Sequence, residues 1–130
     1  MQPIQLFDLA SRQAEWLSIR QEVVAGNIAN ANTPKFKAKD ITPFDAVLNN
    51  ENIAMARTNP AHFSGNDFSS NNDIDVKEAA LDQEIGVQES GNTVGLAEEL
   101  SKTGEIQRQY QLNTSLVTSF HRMMLMTVKK

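Results

Sequence analysis

The side chains able to carry chemistry are few, and none sits at a spacing that chemistry needs. Of the two histidines, His62 lies in the turn-like run NPAHF. His121 is followed by Arg122, with no second histidine or carboxylate at ligand spacing. Cysteine is absent, which excludes disulfides, thiolate metal sites and cysteine nucleophiles. The glycines are scattered and make no phosphate-binding loop. The nearest approach to a metal motif is Asn71, Asp73 and Asp75, which alternate as in an EF-hand loop. Val76 stands where that loop needs glycine, and Asp82 where it needs its last glutamate. These carboxylates read as capping and solvated groups. The chain therefore reads as a non-enzyme that takes no cofactor and no metal.

With no site to position, the elements themselves become the subject. A length of 130 residues with 40% hydrophobic and 22% charged residues is ordinary for a single domain. Only 6% is aromatic, and the large apolar residues cluster at the two ends, so a single compact core is not the natural reading. Phe7, Ala10, Ala14, Leu17, Gln21, Val24, Ile28 and Ala31 are separated by three and four residues in turn, a heptad seam with one polar member. Pro3 suits a helix start, while Asn30, Asn32, Thr33 and Pro34 end the pattern. The spacing predicts a helix of about 40 Å from residue 4 to residue 31.

A second seam runs through Leu96, Leu100, Thr103, Ile106, Tyr110, Asn113, Val117, Phe120 and Met124. Asn92 or Thr93 can cap this helix, Glu98 and Glu99 suit its start, and no proline interrupts residues 94–128, about 50 Å of helix. Asn113 is either a buried, register-fixing asparagine or a residue facing water. The fold class predicted is mainly α. Residues 1–33 and 93–130 pair as one α-helical coiled-coil domain, and residues 34–92 form an irregular, partly mobile middle segment with short elements.

In that middle, Lys35, Lys37 and Lys39 alternate with Phe36, Ala38 and Asp40 as in a short extended segment. Residues 44–48 form a turn or two of helix after Pro43. Asp75 with Glu78 has the form of a capping box, which predicts a short helix over residues 76–85. The tract SGNDFSSNND at residues 64–73 is too polar to order itself. Five basic and ten acidic groups make residues 34–92 the acidic part of a chain of net charge −4, and no basic nucleic-acid footprint is present. No apolar run has membrane-spanning length, and Asp8, Arg12 and Glu15 interrupt the apolar core that a signal peptide would need.

Two helices with stripes this narrow bury each other's seams and leave Trp16, Ile19, Val23, Leu112, Leu116 and Leu125 partly exposed. Helices so placed are marginal alone and gain stability from tertiary or intermolecular burial. Association of one face with a different face of the next copy builds a filament. The seam positions that carry assembly in this reading are Leu17, Val24, Ile28, Tyr110, Val117 and Phe120. The alternative is a free-standing helical adaptor or chaperone that holds a partner helix in a groove.

The run Asn27, Ile28, Ala29, Asn30, Ala31, Asn32, Thr33 and Pro34 resembles the NIANANTPGY/F motif of the axial proteins of the bacterial flagellum. KAKDITPFDAVL is similar to the proximal-rod members of that family more than to the other rod proteins. RTNPAHF at residues 57–63 and GNTVGLAEEL at residues 91–100 resemble two further segments of it. The family's usual glycine after the proline is Lys35 here, which a turn of positive φ would strain. The resemblance implies a structural subunit of the proximal rod, polymerising through its terminal helices into a hollow drive shaft that transmits torque and passes exported subunits. It implies a periplasmic location in the basal body, reached by the flagellar type III export apparatus without a cleavable signal peptide. The implied partners are copies of the chain, the other proximal-rod proteins, the adaptor joining rod to membrane ring, and the export gate. No nucleic acid or small-molecule substrate is implied.

Overall fold

The structure is a computed structural model, and it describes residues 3–49, 74–80 and 87–129. The element order is α1 (Pro3–Ala29), β1 (Lys39–Ile41), α2 (Phe44–Asn49), β2 (Val76–Glu78) and α3 (Leu96–Val128). The protein is mainly helical, and the two long terminal helices pack together as the two seams predict. Their antiparallel alignment is fixed at four heights. Phe7 meets Phe120 edge-on at 5.7 Å, the Asn113 amide donates to the Ala10 carbonyl at 2.9 Å, Arg20 lies 3.8 Å from Glu105, and Asn27 bonds Glu99. No described helix is long and apolar enough to cross a membrane.

The seams need correction at four positions. Gln21 is exposed. Leu96, Leu100 and Tyr110 are also outside, each at least half exposed, and the inner face of α3 begins instead with Glu99, which is 2% exposed. A pattern that counts only apolar residues misassigns this turn because the buried position is a carboxylate with two polar partners. The predicted capping by Asn92 or Thr93 does not occur. Gly95 is the N-cap residue, without a side-chain bond, and the helix starts at Leu96. Both polar side chains are engaged elsewhere, as described below.

The short helix expected after Pro43 is α2. Residues 76–78, where the capping box predicts a helix, form a strand antiparallel to β1, with Lys39 opposite Glu78, Asp40 opposite Lys77 and Ile41 opposite Val76. The free edge of β1 offers backbone partners that an isolated helical turn would lack. Thr42 N–H to the Asp75 carbonyl and Ala79 N–H to the Ala38 carbonyl lengthen this ladder at both ends. The TNPAHF segment, His62, the polar tract at residues 64–73 and residues 81–86 lie outside the described residues.

This ribbon changes where the core sits. Trp16, Leu17, Val24, Ile41 and Ile106 form one buried cluster, with Ile19, Val23, Ile28, Phe44, Val47 and Ile74 packed on it. Trp16 is thus buried rather than left out, while Ile19 and Val23 pack on the cluster and stay half-buried. The Trp16 indole N–H donates to the Thr42 carbonyl at 2.8 Å, and its ring lies 5.7 Å from that of Phe44. Leu112, Leu116 and Leu125 do remain exposed.

The turn after the helix has the geometry that the missing glycine signals. Lys35 has φ of 59°, and its N–H donates to the Ser90 carbonyl at 2.9 Å. A left-handed conformation costs a residue with a Cβ about 1–2 kcal/mol, part of which glycine forfeits through its freer unfolded chain. Lys35→Gly is therefore expected to stabilise the fold by about 0.5–1 kcal/mol. Urea unfolding followed by circular dichroism tests this, and an unchanged or lower midpoint argues against strain at this turn.

Candidate assembly interface

The asparagines at the end of α1 are the structural centre of the molecule. Asn27 is 1% exposed. Its carboxamide accepts from Lys39 N–H at 2.9 Å and donates to the Lys39 carbonyl at 2.7 Å, so one side chain pairs with a residue of β1 as a neighbouring strand would. The same amide nitrogen also donates to Glu99 Oε2 at 3.1 Å. Helix α1, strand β1 and helix α3 therefore meet at one residue.

Asn92, fully buried, does the corresponding work at the start of the C-terminal segment. Its amide donates to the carbonyls of Asn30 and Thr33 at 2.8 and 2.9 Å, satisfying acceptors where α1 ends, and its oxygen accepts from Val94 N–H. The Thr93 hydroxyl accepts from Ala38 N–H at 2.8 Å. Asn30 closes the helix end itself, donating to the Gly26 carbonyl and accepting from the Thr33 hydroxyl. Gly91, at φ of 81°, lies against Lys35, where an added Cβ would stand 3.5 Å from its Cα. Of the rest of the motif, Ile28 and Ala31 are half-buried, while Ala29, Asn32, Thr33 and Pro34 are exposed.

Below this joint, Glu99 Oε1 is 3.1 Å from Lys102 Nζ, which also lies 3.0 Å from Glu98 and 3.8 Å from Asp40. Burial of the ammonium is the strongest single influence on Lys102 and acts to lower its pKa. The hydrogen bonds to Glu98 and Glu99, with the charges of Glu99 and Asp40, outweigh it and hold the group above the ordinary 10.5. A raised folded pKa stabilises the protein fully below the unfolded value and ceases to do so as pH climbs through the folded one. Stability is therefore expected to fall above about pH 10.5. Lys102→Arg, which keeps its charge there, should reduce that fall. Thermal melts between pH 9 and 12 compare the two chains, and parallel curves would exclude Lys102 as a cause.

The positions that the sequence assigns to assembly divide in two. Leu17 and Val24 are buried in the chain's own core, and Ile28 packs on it. Val117 and Phe120 are half-buried in the helix pair, whereas Tyr110 is 53% exposed. Tyr110 and Val117 line a groove of about 270 Å³ between α1 and α3, together with Phe7, Ala10, Ala14 and Asn113. Asn113 itself is buried, which settles the choice left open by its place in the seam. Sequence reasoning missed the joint at Asn27, Glu99 and Asn92. The Asn-rich motif and the paired glutamates were visible signals, but they read as helix-ending and helix-starting residues rather than as partners of each other. His121 is exposed, and among the described residues no group of acidic or histidine side chains could hold a metal ion.

Comparison with known sequences adds an independent line. Residues 15–37, from the core of α1 through the asparagine joint, match the family described as "Flagella basal body rod protein". The chain is 68% identical to the flagellar basal body rod protein FlgB of Agrobacterium fabrum, across 100% of its own length and 97% of that protein. It is 33% identical to the FlgB of Borrelia hermsii over 84% of each chain, and 34% identical to that of Proteus mirabilis over 91% of each.

Proposed function

We propose that this chain, which belongs to the family of flagellar basal body rod proteins FlgB, polymerises through its terminal helices as a structural subunit of the proximal rod. The work of such a subunit is mechanical. It forms one link of a hollow shaft that transmits torque and lets later subunits pass, and it acts in the periplasm after export without a cleavable signal peptide. Its partners are copies of itself, the other proximal-rod proteins, the adaptor that joins rod to membrane ring, and the export gate. The helix pair of residues 1–33 and 93–130 is the assembling domain, with residues 34–92 as its outer segment.

The observation that carries this reading is the distribution of apolar surface. The pair is locked internally by the joint at Asn27 and by the core around Leu17, Val24 and Ile106, yet α3 keeps Leu112, Leu116, Met123 and Met126 more than half exposed. A monomer gains nothing from such a surface, whereas a subunit covers it. Leu17, Val24 and Ile28 then serve assembly by holding the pair, and Tyr110, Val117 and Phe120 by shaping the face that a neighbour meets.

Electron microscopy of basal bodies from cells lacking this chain, with a swimming assay and a complemented control, tests the reading. Loss of rod and hook with the membrane ring retained is the expected result. Intact, rotating flagella would overturn it and favour a helical adaptor.

A further inference from the structure

On the reading that this chain is a rod subunit, we infer that neighbouring copies join head to tail around the shaft, a ridge on α3 of one copy entering the groove between α1 and α3 of the next. The ridge is Leu112, Leu116, Met123 and Met126, each 51–64% exposed. At 3.6 residues per turn these four fall in one row, on the opposite side of α3 from Tyr110 and Thr114. Those two residues border the groove, whose depth comes from the small side chains of Ala10 and Ala14. Its floor holds no unsatisfied polar atom, because the Asn113 amide is already bonded to the Ala10 carbonyl. Flexible methionines and leucines at heptad spacing are suited to filling such a depression.

Charge supports the same occupant. Asp8 and Glu15, one heptad apart, stand on the exposed side of α1 that borders the groove, with Arg12 beyond them. Arg108 and Arg122, two heptads apart, stand beside the ridge. Among the described residues, Asp8, Glu15, Arg108 and Arg122 make no ion pair. The contacts of Ala10 with Asn113 and Phe7 with Phe120 set Glu15 level with Arg108 and Asp8 within two turns of Arg122. A second copy placed alongside, with no shift along the axis, thus sets acid against base while ridge meets groove. Such rim charges orient the encounter, and the apolar ridge supplies the burial. Because ridge and groove lie on opposite sides, the contact repeats from copy to copy rather than closing a two-fold dimer.

The absence of cysteine makes the test direct. Ser115 lies at the edge of the ridge row, level with Ser11 on the groove, and both are exposed. Two differently tagged copies, one Ser11→Cys and one Ser115→Cys, are expressed together in a strain lacking the chain, and basal bodies are oxidised and separated on gels. The expected product is the mixed adduct, in excess over either like-with-like adduct. Predominant like-with-like products, adducts of Ser115→Cys with a different protein alone, or no adduct from basal bodies containing both copies would each overturn the inference while leaving the rod reading intact. Basal bodies with rods but without the chain would overturn both.

Discussion

Asn27→Ala is expected to cost the folded chain about 2–4 kcal/mol, because it strands three groups at once. Lys39 loses the partner of its N–H and of its carbonyl, and Glu99, 2% exposed, keeps only Lys102. The two Asn27–Lys39 bonds are only partly buried, so the loss stays below the sum of three fully buried orphans. Asn27→Asp is nearly isosteric and separates the possible causes. It still accepts from Lys39 N–H, but it has no donor for the carbonyl and sets a second carboxylate where the amide stood 3.1 Å from Glu99. It should be at least as damaging as alanine at pH 7 and should recover as pH falls and one of the two carboxyls takes a proton. Urea titrations of the three chains at pH 7 and 5 decide the matter. Variants as stable as the parent would show that β1 and α3 are held by other contacts.

This joint also marks the limit of what the sequence discloses. The long helices, the stop near residue 30 and the short helix after Pro43 were legible because each has a local cause: heptad spacing, an asparagine cluster before proline, an apolar run after it. Strand β2 was not, because its partner is β1, more than thirty residues away, and the local capping pattern at Asp75 and Glu78 favours the other outcome. Glu99 was misread for a related reason. Its negative charge suits the first turn of α3, and nothing within that turn announces that Asn27, seventy-two residues earlier, stands opposite. The strain at Lys35 was legible as a departure from a family's glycine. Its partner Gly91 was not, since their proximity depends on the whole reversal.

A charge placed in the core and a charge placed on the ridge should fail in opposite ways. Val24 is 3% exposed and packed in the cluster of Trp16, Leu17 and Ile106. Val24→Asp buries a carboxylate without a partner, a cost of several kcal/mol, which is a large fraction of the roughly 5–15 kcal/mol that holds a domain together. Most of the helical signal in circular dichroism should be lost or melt many degrees lower, and swimming should cease because the subunit no longer folds. Leu116 is 58% exposed, so Leu116→Asp should change the melting of the isolated chain by no more than about 0.5 kcal/mol. It nevertheless removes an apolar member of the ridge and adds a charge that a covered interface must desolvate, so swimming should cease here too, from a subunit that is folded and exported. Normal melting of Val24→Asp would displace Val24 from the core. Normal swimming of Leu116→Asp would mean that the exposed row on α3 faces solvent in the assembled rod, and the burial that drives assembly would then have to come from the groove side of the pair alone.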